Sequence, residues 1–221
     1  MRVRAAGSDP GIFFRSLAAR SQLGGLADAA AASVEILACA FDRVFVETVG
    51  VGQSESEVRG LVDTLVFVAN PATGDALQFM KAGLVELPDL FAVNKADLGA
   101  TAERSANELR SGLALGAAPA EGAPPVLLVS ARDGRGIDAL VDAIDAHREQ
   151  LVARDELARR RRAGRDARVR AALERRYGSY GLEALGGRAA LEARLSGEID
   201  RSATALVGSL SGEIEARLRM R

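Results

Sequence analysis

Four short runs of unbroken apolar residues mark the first 150 positions: Val44-Phe45-Val46, Leu65-Val66-Phe67-Val68, Phe91-Ala92-Val93 and Val126-Leu127-Leu128-Val129. Each stops at a polar or turn-forming residue and is rich in β-branched or aromatic side chains, a pattern that predicts four parallel strands buried on both faces. The intervening stretches 27–40, 76–87 and 101–115 have helical composition. Residues 137–152 place Ile137, Leu140, Val141, Ile144 and Leu151 on a period of about 3.6 residues, which predicts a further helix. Strands alternating with helices predict an α/β fold with a mostly parallel, doubly wound sheet, whose ligands sit beyond the carboxyl ends of the strands. After residue 150 the strand pattern stops, and a composition dominated by Ala, Arg, Leu, Glu and Gly predicts helices without a core of their own. There the apolar positions Leu191, Leu195, Ile199, Ala203, Leu206, Leu210, Ile214 and Leu218 recur every three or four residues as one stripe. Such a stripe needs a covering surface; a second copy of the chain is the expected one, and folding back on the parent sheet is the alternative.

Charge divides the chain at the same place. Residues 1–150 carry a net −7 and residues 151–221 a net +6. Only Lys81 and Lys95 of the 29 basic residues are lysines, so these two positions are set apart from the generic positive charge that Arg supplies elsewhere. The single cysteine, Cys39, and the single histidine, His147, exclude a disulfide framework, a structural zinc site and a triad built on another histidine. Cys39 reads as a small buried hydrophobe and His147 as solvated helix surface. No apolar run approaches the roughly 18–20 residues of a membrane span, and no secretory leader is visible, so a cytoplasmic protein without membrane contact is expected. The run Arg159-Arg160-Arg161-Arg162 lies among Asp155, Glu156 and Asp166 in a chain poor in aromatics, which favours a solvated helix face over nucleic-acid binding.

Candidate chemistry clusters at the strand ends. The third run leads into Asn94-Lys95-Ala96-Asp97, the NKxD pattern of guanine-nucleotide-binding proteins. A fixed carboxylate at Asp97 can accept hydrogen bonds from guanine N1–H and the 2-amino group while the Lys95 stem lies along the base or ribose; adenine lacks that donor pair. The same residues could instead start a helix with Asp97 as its cap. The first run ends in Glu47-Thr48-Val49-Gly50-Val51-Gly52-Gln53-Ser54-Glu55, where Glu47 suits orientation of Mg²⁺ and Gly50 suits an N–H contact to a terminal phosphate. Gly-x-Gly is also a common tight turn. Gln53 is a candidate for orienting water. The fourth run leads into Ser130-Ala131-Arg132, matching the small-residue loop whose backbone N–H meets guanine O6.

Together with Phe14-Arg15-Ser16, Leu23-Gly24-Gly25-Leu26, Gly74-Asp75 and Leu77-Gln78, these motifs resemble the MeaB/ArgK family of G proteins, also labelled LAO/AO transport system ATPases or kinases, over roughly residues 9–150. The resemblance implies a P-loop NTPase-type sheet in a partial G domain over 1–150 and a helical extension over 151–221 that serves as a dimerisation arm. It implies GTP or GDP and Mg²⁺ as cofactors, GTP hydrolysis, and a chaperone role toward an adenosylcobalamin-dependent mutase such as methylmalonyl-CoA mutase. Residues 9–25 and 47–55 correspond to two switches and 71–81 to a third mobile loop, with Asp75 and Lys81 as its polar participants. One departure is large: the chain contains no G-x-x-x-x-G-K-[ST] phosphate cradle, and Lys81 follows Met80 just as Lys95 follows Asn94. The expectation is a chain shortened at its amino end, weak in GTP binding by itself. The alternative is an interaction module of the same fold that has lost hydrolysis with its cradle. Asp9-Pro10 stands where family members commonly show His-Pro.

Overall fold

The computed structural model describes residues 9, 11–17, 28–48, 58–71, 88–115 and 122–220. Helix α1 (Asp28–Leu37) precedes strand β1 (Val66–Ala69), strand β2 (Leu90–Val93), a 3-10 turn (Ala96–Leu98), helix α2 (Ala100–Leu115) and strand β3 (Val126–Leu128). Helices α3 (Ile137–Ala153), α4 (Glu156–Ala184), α5 (Gly187–Gly197) and α6 (Ala203–Arg219) follow. The three strands form a wholly parallel sheet in the order β1-β2-β3, with Phe67 opposite Phe91 and Phe91 opposite Val126. All four residues of β2 are buried, as a central parallel strand covered on both faces requires. On one face Phe91 and Val93 pack with Ala69 against Ala106, Leu109 and Leu113 of α2.

Three of the four expected strands form. Val44-Phe45-Val46 forms no strand and pairs with no other strand among the described residues, and Phe45 is 82% exposed. The reason is the ladder: among the described residues β1 is hydrogen-bonded to β2 alone and no further strand lies beside it, and Val68 of β1 is 54% exposed. The helix expected over 76–87 lies outside the described residues.

The carboxyl-terminal helices correct the expectation of a region without a core. Val169 and Leu173 of α4, Leu182 and Leu185 around its end, Leu191 and Leu195 of α5, and Leu206, Leu210 and Ile214 of α6 form a second buried cluster. Burying a Val, Leu or Ile side chain is worth about 1.5–3 kcal/mol, so nine of them stabilise a bundle without outside help. The stripe beginning at Leu191 is divided between two helices, broken where Ile199 is 60% exposed and Ser202 caps α6 by accepting the Ala205 N–H at 3.2 Å. Its buried members face their own chain, which removes the packing argument for a second copy.

Arginine holds the break. The Arg165 guanidinium, buried, donates to the carbonyls of Leu195 and Ile199 at 3.1 Å, to that of Arg201 at 3.3 Å and to that of Glu198, while Nε meets Asp166 at 2.9 Å. A cation on the exposed carbonyls at a helix carboxyl end both satisfies them and opposes the dipole. At the start of α6, Glu35 of α1 accepts the Ala203 N–H, the Thr204 hydroxyl and Arg168, each at 3.3 Å.

A buried carboxylate ties sheet to bundle. Asp89, immediately before β2, accepts the Leu65 N–H at 2.8 Å, Arg160 of α4 at 2.9 Å, Arg59 at 3.1 Å and His147 Nε2 of α3 at 3.3 Å. Thr64 bonds the other ring nitrogen of His147 at 2.8 Å. His147 is therefore 16% exposed and part of this network, not solvated surface: the helix face it occupies is covered by the start of the sheet. Arg161 forms a two-pronged pair with Asp63, so the arginine run is only partly a solvated face. Gly164 sits where any Cβ would overlap the Gly60 carbonyl oxygen, and Arg168 donates to that same carbonyl at 2.5 Å, so α4 lies directly on the 58–61 turn. Cys39 is exposed rather than buried, because α1 ends at Leu37 and the chain turns outward; its thiol donates to the Glu35 carbonyl at 3.4 Å.

Burial, the largest single influence on Asp89, pushes its carboxyl up, but the His147 and Leu65 hydrogen bonds and the Arg59 and Arg160 charges together hold it below the ordinary carboxylate value. A depressed pKa adds stability above the unfolded value and surrenders it as pH falls through the folded one, a window that opens downward from about pH 4. Asp89→Asn is accordingly expected to cost about 2–3 kcal/mol near neutrality, since it strands partly buried arginines, and less in acid. Urea unfolding of both proteins across a pH series should show the two stabilities converging as the pH drops.

Candidate functional site

The sheet delivers two loops to one place. Asn94 continues β1–β2 pairing by donating its N–H to the Ala69 carbonyl at 2.9 Å, Val129 donates to the Val93 carbonyl at 2.9 Å, and Ala96 donates to the Val129 carbonyl at 2.9 Å. The loops after β2 and β3 are thus stitched together at the carboxyl ends of their strands, where a doubly wound sheet binds ligands. Between Asn94 and Ala96 the chain turns through Lys95 in the left-handed conformation, φ 59° and ψ 40°. For a non-glycine residue that costs roughly 1–2 kcal/mol. The turn allows residues on both sides of it to face the second loop.

Asn94 Oδ1 accepts the Ala131 N–H at 3.1 Å. Asp97 Oδ1 accepts the Ser130 hydroxyl at 3.1 Å, and Ser130 is fully buried. Arg132 Nη1 donates to the other oxygen, Asp97 Oδ2, at 3.4 Å. The six residues Asn94, Lys95, Asp97, Ser130, Ala131 and Arg132 expected from the motifs are therefore adjacent in space, five of them linked by these bonds, with exposed Lys95 on the turn that joins Asn94 to Asp97. Asp97 does not act as the cap that the alternative reading assigned it: the 3-10 turn has no side-chain cap bond at its start, and both Asp97 oxygens bond the second loop.

Sequence reasoning overlooked the second half of that loop. The Ser130 N–H donates to the Arg135 carbonyl at 2.8 Å, the Gly134 N–H donates back to the Ser130 carbonyl at 2.9 Å, and Arg135 reaches Asp133 at 3.4 Å and the Ala96 carbonyl at 3.5 Å. The Ser130 hydrogen bond first, then the Arg135 N–H and charge, hold the exposed Asp133 carboxyl below its ordinary value. Gly136, at φ 72°, begins α3 where a Cβ would overlap the Leu128 carbonyl oxygen. The turn signal Asp133-Gly134-Arg135-Gly136 was the available clue.

Glu47 is exposed on the irregular stretch 43–48. Gly50, Gln53, Asp75 and Lys81 lie outside the described residues. Among the described residues no group of three or more His, Cys, Asp or Glu side chains could hold a metal ion, and no helix is long and apolar enough to cross a membrane.

What this arrangement offers chemically is a set of hydrogen-bonding groups fixed at two strand ends. A carboxylate with one oxygen pinned by a buried hydroxyl is a fixed acceptor, and the Ala131 N–H of the same loop is held by Asn94 Oδ1.

Comparison with known proteins agrees with the geometry. A relative from Pyrococcus abyssi that carries a GTPase name is 41% identical over 166 residues, 73% of this chain and 51% of that protein. The GTPase ArgK of Escherichia coli is 36% identical over 149 residues, 66% of this chain and 45% of its own length. The mitochondrial methylmalonic aciduria type A homolog of Mus musculus is 40% identical over 124 residues, 55% of this chain and 30% of that protein. This chain spans about half the length, or less, of these curated relatives. The crystal structure of a LAO/AO transport system kinase superposes on 85% of this chain and 63% of its own with a TM-score of 0.54 at 28% identity, which establishes the P-loop NTPase-type fold. The family model described as methylmalonyl Co-A mutase-associated GTPase MeaB matches residues 1–178, and a match over that much of the sequence places the chain in the MeaB family of GTPases.

Proposed function

We propose that this chain carries the guanine-reading half of a GTP-hydrolysing chaperone for an adenosylcobalamin-dependent mutase, methylmalonyl-CoA mutase being the partner named by the family description. The observation that carries the base-reading part is the Asp97 carboxylate, pinned by a fully buried Ser130 hydroxyl beside the Ala131 N–H. Asp97 accepts guanine N1–H and the 2-amino group, the Ala131 N–H, shared with Asn94 Oδ1, donates to O6, and the Lys95 stem covers the ring. Adenine offers an acceptor at N1 and no 2-amino donor, so it is rejected by leaving the Asp97 acceptors unpaired.

In the complete reaction Gly50 donates its N–H to the terminal phosphate, Gln53 orients the attacking water, and Asp75 and Lys81 serve communication with the partner. Mg²⁺ fits as a phosphate-borne ion for which Glu47, the exposed carboxylate described above, gives one ligand through water; such ions are commonly held by one or two carboxylates and the phosphates themselves. The ion neutralises charge on the phosphates. Residues 151–221 form the helical arm of a homodimer, a reading that rests on family habit now that the apolar stripe is known to be buried within the chain.

Two outcomes follow for the 221-residue chain. Because it has no glycine-rich lysine loop, GTP should bind no more than about tenfold more tightly than guanosine; calorimetry showing a far larger gap would reveal a phosphate subsite within this chain. Asp97→Asn should exchange guanosine for xanthosine, with guanosine affinity falling about tenfold or more, because the new amide donates where xanthine has an oxygen. Retained guanosine preference in that variant would reduce Asp97 to a structural role.

A further inference from the structure

A guanidinium and the amidine edge of guanine present the same thing to a carboxylate: N–H groups fanned from one planar carbon. The Asp97 carboxylate already holds such a group, since Arg132 Nη1 lies 3.4 Å from Oδ2 while Ser130 occupies Oδ1. The donor meant for O6 is likewise engaged, with the Ala131 N–H on Asn94 Oδ1 at 3.1 Å. The two engagements differ in kind. Asn94 is partly buried at the end of a central strand and Ser130 is sealed, whereas the Arg132 side chain is 84% exposed and can swing into solvent without disturbing either loop.

The geometry points to Arg132 as an internal surrogate for the base, a side chain that competes with guanine for the Asp97 carboxylate and lowers affinity for it. This deepens the base-reading role proposed above and depends on it. A base that takes both Asp97 oxygens must displace the Arg132 contact. Exposed ion pairs contribute little, so the competition amounts to roughly 1.4- to fivefold in affinity, which lowers binding without abolishing it. The pair is also open to screening by salt, while guanosine itself is neutral.

That combination gives a test on the 221-residue chain with guanosine as the probe, followed by nuclear magnetic resonance titration. Arg132→Ala should bind guanosine about 1.4- to fivefold more tightly than the native chain. Native affinity should rise with added sodium chloride, and this salt dependence should vanish in Arg132→Ala, an effect that mere loosening of the loop would not produce. Equal or weaker guanosine binding by Arg132→Ala, or a salt dependence that survives it, overturns the surrogate role. Asp97→Ala separates the two layers of the argument. If it abolishes binding while Arg132→Ala changes nothing, the base site stands and the surrogate falls; if it leaves guanosine binding intact, or if no variant binds guanosine at millimolar concentration, the base-reading role itself fails and the surrogate with it.

Discussion

The Asp89 carboxylate is the constraint from which the arrangement of this chain follows. It stands at the amino end of the central strand and gathers the start of β1 through the Leu65 N–H, α3 through His147, α4 through Arg160 and the 58–61 turn through Arg59. Burying a carboxylate is costly unless its charge and lone pairs are met, and here both are. With α4 laid on Gly60 through Gly164, the amino ends of the strands become a rigid base. The opposite ends, which carry the loops at Asn94 and Ser130, are thereby held at fixed separation by a short sheet whose central strand is buried throughout.

The proposed base site rests on that fixed separation. The stitched backbone bonds among Ala69, Val93, Asn94, Ala96 and Val129 leave the two loops little freedom, and the left-handed turn at Lys95 turns the chain so that Asn94 and Asp97 both meet the second loop. Ser130 is buried because it must fix a charge, and the Asp133–Gly136 turn exists to hold Ser130. A site whose positions are set by strand ends in this way loses little entropy on meeting a planar ligand.

The legible parts of the sequence were those governed by local rules. Continuous apolar runs announced β1, β2 and β3, and the motifs at their ends announced the residues now found together, because strand and loop chemistry are written within a few positions. What misled was every inference that needed a distant partner. Val44-Phe45-Val46 has strand composition, yet a strand exists only beside another. Leu191 to Leu218 keeps a helical period across a break that Arg165 stabilises from another helix, so one long stripe expected to be covered by a second copy is divided between two helices and buried within its own chain. His147 on its own helix looks solvated; only the return of the chain at Thr64 and Asp89 encloses it.

The central claim is that the junction of the Asn94 and Ser130 loops reads guanine. The most direct measurement is the backbone amide spectrum of the native chain during separate titrations with guanosine and adenosine. The account predicts that the Ala131 amide and those of Asn94 and Ser130 shift with guanosine and stay in place with adenosine. Equal responses to both nucleosides, or shifts confined to the helical bundle, would contradict it.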